Sequence, residues 1–170
     1  MEQLLRNQRQ LNFSAFAACA AMMAYALYSQ HVLLLDPCPL CIFQRVAVVA
    51  LGGVFLVAAL QNPGRVGSAV YALLIAAAAL AGAGVAGRHV WLQNLPPDKV
   101  PACGPGLDFM LDAFPFAEVL NMVLSGSGEC AETSWVLLGL TMPAWVFIAV
   151  VLLGIAGVII NVLPIIKHDA

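Results

Sequence analysis

Charge is what this sequence most lacks. Only 9% of its 170 residues are Asp, Glu, Lys or Arg, against about 25% in water-soluble domains, and 62% are hydrophobic, against about 45–50%. So few polar groups cannot cover a globular surface, which excludes a soluble enzyme, and the apolar excess excludes a disordered chain. Positive charge is not in excess either. Seven Lys+Arg against nine Asp+Glu give a formal net charge of −2, so there is no basic field to hold nucleic acid. The apolar–polar alternation of a membrane β-strand, sustained over about ten residues, is missing too: Ala76–Ala79 runs straight into Leu80-Ala-Gly-Ala-Gly84. The solvent that remains is lipid.

Long uncharged runs show where the chain crosses it. They comprise 26 residues between Arg9 and Asp36, 19 between Arg45 and Arg65, 22 between Arg65 and Arg88, and 34 between Glu132 and Lys167. A helix needs roughly 20 apolar residues to span the hydrocarbon core. The sequence therefore predicts an all-α integral membrane protein, a single domain over residues 1–170 built as a four-helix transmembrane bundle. The spans are placed at 13–35, 42–60, 68–90 and 144–163. A short outer segment, 36–41, and a long one, 91–143, join them.

With an even number of spans both termini share one side. Arg6, Arg9, Arg65 and Lys167 fall on that side, while the outer segments hold only Lys99, with Arg45 and Arg88 at helix ends facing them. Cytoplasmic sides carry the excess of Lys and Arg, so both termini are expected in the cytoplasm. A cleaved leader is disfavoured because the first uncharged run far exceeds the usual 7–15-residue core. Ala78, Gly82 and Ala86, Ala83 and Gly87, and Ala17 and Ala21 repeat every four residues, a spacing of small residues that lets helices approach closely in lipid. Cys19 lies inside the first span and reads as a small apolar packing residue.

The other four cysteines, Cys38, Cys41, Cys103 and Cys130, all fall in the two outer segments. An even set in an oxidising compartment reads as disulfides, and four cysteines allow three connectivities. Two intervening residues make Cys38 and Cys41 natural partners, which leaves Cys103 with Cys130. The second bond could simply brace a loop, a contribution of about 3 kcal/mol. Cys38-Pro-Leu-Cys41 closes too short a loop to restrain much chain, and its spacing is a recurrent redox arrangement. Zinc held by all four cysteines is disfavoured, because 26 residues separate Cys103 from Cys130 instead of the usual tight spacing; no metal is expected.

Position sharpens the redox reading. Asp36-Pro37-Cys38-Pro39-Leu40-Cys41 runs straight into the second span, which puts Cys41 at a helix N-terminus, where free N–H groups and the helix dipole favour negative charge. Arg45 follows four residues on, on the same helical face. A guanidinium at that depth either snorkels to the interface or marks a site, and the neighbouring cysteine favours the site. His89 ends the third span at the same face, as an amphipathic anchor or as a hydrogen-bonding group for a membrane-borne redox partner.

Asp36-Pro-Cys-Pro-Leu-Cys-Ile-Phe-Gln-Arg45, Pro101-Ala-Cys103, Ser127-Gly-Glu-Cys130-Ala-Glu132 and Trp135-Val-Leu-Leu-Gly-Leu-Thr-Met-Pro-Ala-Trp145 together resemble the DsbB family, bacterial inner-membrane proteins that generate disulfides and hand the electrons to quinone. The resemblance extends over nearly the whole chain, in cysteine order, helix count and loop placement. It implies that Cys103 is attacked by a reduced periplasmic thioredoxin-fold oxidant of the DsbA type. Cys130, released, then attacks Cys38, and Cys41 becomes the thiolate that faces ubiquinone or menaquinone in the membrane. Arg45 and His89 are implied to polarise the quinone oxygens. Two other readings compete: a quinone reductase resembling the vitamin K epoxide reductase family, whose Cys-x-x-Cys sits near a later helix, and a membrane thiol- or metal-binding module without catalysis.

The long outer segment carries one further pattern. From Leu107 to Leu124, apolar clusters alternate with Asp108, Asp112 and Glu118, with Pro115 between. This predicts one or two short amphipathic helices broken at Pro115, lying along the membrane surface or capping the bundle.

Overall fold

The computed structural model describes residues 2–102, 104, 106–133 and 135–169, with the side chains of 2–7, 108 and 164–169 outside the described set. Cys103, one of the four cysteines singled out above, also lies outside the described residues. The chain forms α1 (Glu2–His31), α2 (Pro39–Gln61), α3 (Arg65–Gln93), α4 (Leu107–Ala113), α5 (Phe116–Ser125) and α6 (Met142–Asp169). Among the described residues, four stretches are long and apolar enough to cross a membrane: Gln8–His31, Pro39–Gln61, Arg65–Gln93 and Met142–Leu163. The protein is an all-α, multi-pass membrane bundle.

The helix ends differ in detail from the charge-based spans. α1 stops at His31 rather than continuing to Leu35, because the chain leaves helical geometry at Leu34, whose φ is +54, ahead of Asp36-Pro37. α2 begins at Pro39, earlier than Ile42, with Pro39 in its first turn, where a missing N–H costs nothing. α3 extends at both ends, to Arg65 and Gln93, because helices run on into the interface beyond the hydrocarbon.

α3 packs most extensively on α6, α1 on α2, and α2 on α3, with α1 and α6 closing the ring. The central core is Ala15, Cys19, Val48, Leu51, Phe55, Ile75, Ala79 and Val150. Cys19 is buried there, with its Cβ where a side chain on Gly52 would have to go, which agrees with a packing role. Outward-facing apolar residues such as Leu73 (71% exposed) and Leu80 (73%) form the surface turned to lipid.

Small residues set the closest approaches. A Cβ on Gly154 would lie 2.5 Å from Ala79 Cβ, and one on Gly157 would lie 2.6 Å from the Phe55 ring and 2.8 Å from Ile75 Cγ2. A Cβ on Gly53 would meet nothing within 4 Å. Gly157→Leu should therefore lower the thermal unfolding midpoint in detergent, at an overpacking cost of about 1–3 kcal/mol. Gly53→Ala should hold or raise the midpoint, because it removes a helical glycine at no steric cost. Equal midpoints for the two variants would contradict this packing.

At the end of the bundle away from Cys38, a buried polar cluster ties three helices. Gln8 Nε2 donates to Ser68 Oγ (2.9 Å) and Asn161 Oδ1 (3.0 Å), and Asn161 Nδ2 donates to Asn12 Oδ1 (3.1 Å). These groups on α1, α3 and α6 are nearly inaccessible. Buried polar side chains require partners in an apolar setting, so the cluster fixes the mutual rotation of the helices.

At the other end the long outer segment folds back. α4 and α5 are separated at Phe114-Pro115, as the proline predicts, and Met110, Val119, Val123 and Cys130 pack on Leu40 of α2 and Leu92 of α3. Phe109, Leu111 and Phe116 stay exposed. A two-residue hairpin, β1 (Val136–Leu137) with β2 (Leu140–Thr141), leads into α6. Its turn residues Leu138 and Gly139 both have positive φ, as a right-twisted hairpin requires. The Thr141 hydroxyl fastens it to Gln93 Oε1 of α3 (2.7 Å).

Candidate active site

The site grows from the start of α2. Pro39 fixes the first helical φ, and Cys38 takes the N-cap position with φ −66 and ψ 163. N-caps ordinarily use an oxygen acceptor. Here the Cys38 sulfur accepts from the Cys41 backbone N–H at 3.4 Å, while the two Sγ atoms stand 3.3 Å apart as free thiols. The Cys-x-x-Cys pair is thus assembled by helix initiation itself.

α3 supplies His89, which the fold buries to 2% exposure; that depth rules out a surface anchor. Its Nε2 lies 3.0 Å from the Cys130 carbonyl and 3.7 Å from Cys38 Sγ. Its Nδ1 lies 2.8 Å from Gln44 Nε2 and 4.0 Å from Cys41 Sγ. A carbonyl only accepts, so Nε2 carries the proton and Nδ1 accepts from the Gln44 amide. One imidazole therefore links the second span, the third span and the outer loop.

The loop brings in Cys130, which is 1% exposed. The ligand atoms of Cys38, His89 and Cys130 all lie within 4.8 Å of one another. Two contacts hold this part of the loop. Gly128 N–H donates to the Ala102 carbonyl (3.2 Å), and Ser127 Oγ lies 3.6 Å from Cys130 Sγ. Ala102 and Gly104, the residues on either side of Cys103, thus both lie against the 127–128 segment.

The Cys130 thiol is pushed well above the usual cysteine range, first by its hydrogen bond with Cys38, then by burial and the nearby Cys38 charge, with Ser127 opposing. In the fully reduced chain, iodoacetamide should modify Cys130 slowly at pH 8, and the rate should climb as the pH is raised further. A pH 8 rate equal to that of an unstructured cysteine would contradict this geometry.

Arg45 reaches across to α1, where NH1 donates to Gln30 Oε1 and NH2 to the Ala26 carbonyl (3.1 Å). It thereby lines, with Cys41 and His89, a cavity of about 120 Å3 whose other walls include Met22, Val48, Met142 and Val146. Glu129, Glu132 and Trp135 come from the outer segment to the same cavity. Beside the carboxylates of Asp36, Glu129 and Glu132, the cavity has apolar walls on which a guanidinium, an imidazole and two thiols converge, a lining that suits a flat apolar molecule carrying hydrogen-bond acceptors.

Cys38, Cys41, Arg45, His89 and Cys130 are thus brought to one place. Two contributors are not evident in the sequence reading. Gln44, one residue before Arg45, bonds His89 Nδ1 at 2.8 Å. Arg88 donates from Nε to the Leu124 carbonyl (3.0 Å) and from NH2 to the Ser125 carbonyl (2.9 Å), with its guanidinium 4.1 Å from the Trp91 ring centre. It therefore caps α5 just ahead of Cys130. Its position beside His89 is the one available signal; its target lies 36 residues away.

Comparison with known proteins decides the family. The family model described as disulfide bond formation protein DsbB matches residues 8–160. The chain belongs to the DsbB family. Among its relatives, the disulfide bond formation protein B of Nitrosococcus oceani is 60% identical over 143 residues, covering 84% of this chain and 85% of the relative. Those of Hahella chejuensis and Methylococcus capsulatus are 55% and 53% identical, covering 83% and 82% of this chain and 86% and 85% of the relatives. Membership in the DsbB family supports a disulfide-forming, thiol oxidoreductase role for the chain.

Proposed function

We propose that the chain reoxidises a periplasmic thioredoxin-fold disulfide donor of the DsbA type by dithiol–disulfide exchange and passes the two electrons to membrane quinone. The observation that carries this reading is the station of the Cys38 sulfur. It lies 3.3 Å from Cys41 Sγ and within 4.8 Å of Cys130 Sγ, beside the cavity that Cys41 and Arg45 line. One sulfur can therefore pass a disulfide bond from a membrane-side partner to a loop-side partner with small movements.

In the exchange, the partner's thiolate attacks Cys103 of a Cys103–Cys130 disulfide and Cys130 leaves as a thiolate. The partner's second thiol then completes its own disulfide and releases Cys103. Cys130 attacks Cys38 of the Cys38–Cys41 disulfide, and Cys41 leaves as a thiolate into the cavity. Cys103 then attacks Cys130, re-forming the Cys103–Cys130 bond and releasing Cys38. The Cys38–Cys41 dithiol closes its own disulfide as its two electrons and two protons pass to quinone. Exchange of this kind runs through the thiolate. Part of what holds Cys130 protonated belongs to the reduced state: once Cys38 is tied in a disulfide, its hydrogen bond and charge no longer raise the Cys130 thiol, and burial alone still does.

The quinone supplies a two-electron, two-proton sink. Arg45 provides the donors that bind and orient one of its carbonyl oxygens, His89 donates to it once its Nε2–H leaves the Cys130 carbonyl, and the apolar walls keep water from the exposed thiolate. A strong acceptor is required because ordinary structural disulfides are too reducing to reoxidise a strong periplasmic oxidant. In net terms, one partner dithiol and one quinone give one partner disulfide and one quinol.

The Lys and Arg distribution supports both termini in the cytoplasm and the cysteines on the periplasmic side of the bacterial inner membrane. The packing of α1, α2, α3 and α6 on one another supports a single membrane domain over residues 1–170. The apolar face of α4 and α5, with Phe109 and Phe116 exposed, supports a loop that rests on the lipid surface near the first cysteine pair.

The test is turnover by the purified chain with a reduced thioredoxin-fold partner and a soluble quinone. Two partner thiols should disappear for each quinone reduced. Thiol loss that proceeds at the same rate without quinone would contradict the reading.

A further inference from the structure

The same junction has the donor set of a soft-metal site. Cys38 Sγ is 3.7 Å from His89 Nε2, and Cys130 Sγ lies within 4.8 Å of both. With Zn–S near 2.3 Å and Zn–N near 2.0–2.1 Å, a tetrahedral zinc ion spaces its ligand atoms about 3.6–3.8 Å apart. The Cys38–His89 pair already has that spacing, and Cys130 needs to approach by no more than about 1 Å. We propose that the fully reduced chain binds one thiophilic divalent cation of the zinc class through Cys38, Cys130 and His89, with solvent completing the tetrahedron.

The chemistry makes this binding conditional on redox state. A sulfur must be a thiolate to ligate, so each ligating cysteine releases one proton to solvent and no electrons move. Sulfurs tied in Cys38–Cys41 and Cys103–Cys130 bonds carry no thiolate, and the oxidised chain keeps only the imidazole. His89 must free its Nε2 by giving up the hydrogen bond to the Cys130 carbonyl. The ring proton then sits on Nδ1, where Gln44, with its amide turned over, offers a carbonyl oxygen at the place its NH2 now occupies, 2.8 Å away. Metal-bound histidines ordinarily have such a partner on the other ring nitrogen. A bound cation would hold Cys38 and Cys130 together as thiolates and so keep Cys38 from closing its bond with Cys41. Sequence spacing gives no sign of this site, because its ligands come from the N-cap of α2, the end of α3 and the outer loop.

The full-length chain in detergent, reduced and freed of reductant without air, can be titrated with Co2+ and then with Zn2+. About one equivalent of Co2+ should bind, with the intense visible bands of tetrahedral cobalt and near-ultraviolet thiolate-to-cobalt absorption, and Zn2+ should displace it. The same chain oxidised beforehand should show neither band, a comparison that needs no variant. Cys130→Ser and His89→Gln should each weaken binding at least about tenfold. Octahedral cobalt spectra, equal binding by the oxidised chain, or both variants binding within twofold of the parent would overturn the proposal. No quinone or partner protein enters the experiment, so its failure leaves the proposed electron route standing.

Discussion

Cys41→Ser should abolish quinone-dependent oxidation of a reduced thioredoxin-fold partner, a loss on the order of a thousandfold or more in turnover, as expected when a group that forms covalent intermediates is removed. Cys38 and Cys41 both line the cavity with Arg45, and Cys38, at the N-cap, is the one grouped within 4.8 Å of Cys130, which leaves Cys41 to face the acceptor. Serine preserves size and the helix start but cannot close the Cys38–Cys41 bond. Cys103→Ser should cost a comparable factor for a different reason, and partial reactions separate the two. The Cys41→Ser chain should still capture the partner as a mixed disulfide without reducing quinone. The Cys103→Ser chain should still reduce one quinone from its own thiols without oxidising the partner. Stopped-flow quinone absorbance and non-reducing electrophoresis read both, and a Cys41→Ser chain that turned over at more than a tenth of the parental rate would contradict the assignment.

Arg45→Met should raise the KM for quinone by about ten- to a hundredfold while leaving the KM for the partner protein within twofold. A charge-assisted hydrogen bond contributes about 1.5–3 kcal/mol, and each 1.4 kcal/mol is a factor of ten. Methionine keeps much of the apolar volume but loses the donors that sit on Gln30 and Ala26 of α1. It therefore also loosens the α1–α2 seam beside the cavity. Arg45→Lys should recover part of the quinone affinity, since the charge returns but not the planar fork. If Arg45→Met raised both KM values equally, the guanidinium would be holding the bundle together rather than meeting the acceptor.

Most of the architecture could be read from where charge is missing. In lipid every backbone group must be satisfied within the helix, so uncharged length alone reports the spans, and Pro115 marks the break between α4 and α5. What escaped the sequence reading depends on contacts between distant residues. The Gln8–Asn12–Ser68–Asn161 cluster, the Arg88 cap on α5 and the Gln44–His89 bond each join positions 36 or more residues apart. The β1–β2 hairpin is too short for periodicity to show it. Asn161, a lone amide inside a 34-residue uncharged run, is the one signal that could have led to the polar cluster. At the site, the spacing of Cys38 and Cys41 and the N-terminal position of their helix were legible because they are local. The approach of Cys130 to Cys38 was implied by the family resemblance alone and not by spacing, since it depends on how the long loop between Gln93 and Met142 packs on Leu40 and Leu92.

That approach is the centre of the account, and disulfide mapping tests it directly. The Cys103→Ser chain, fully reduced, treated with one equivalent of quinone, quenched in acid and digested, should yield a Cys38–Cys130 linked peptide with Cys41 free. Peptides containing only Cys38–Cys41, or a Cys41–Cys130 link in place of Cys38–Cys130, would contradict the exchange route drawn from the structure.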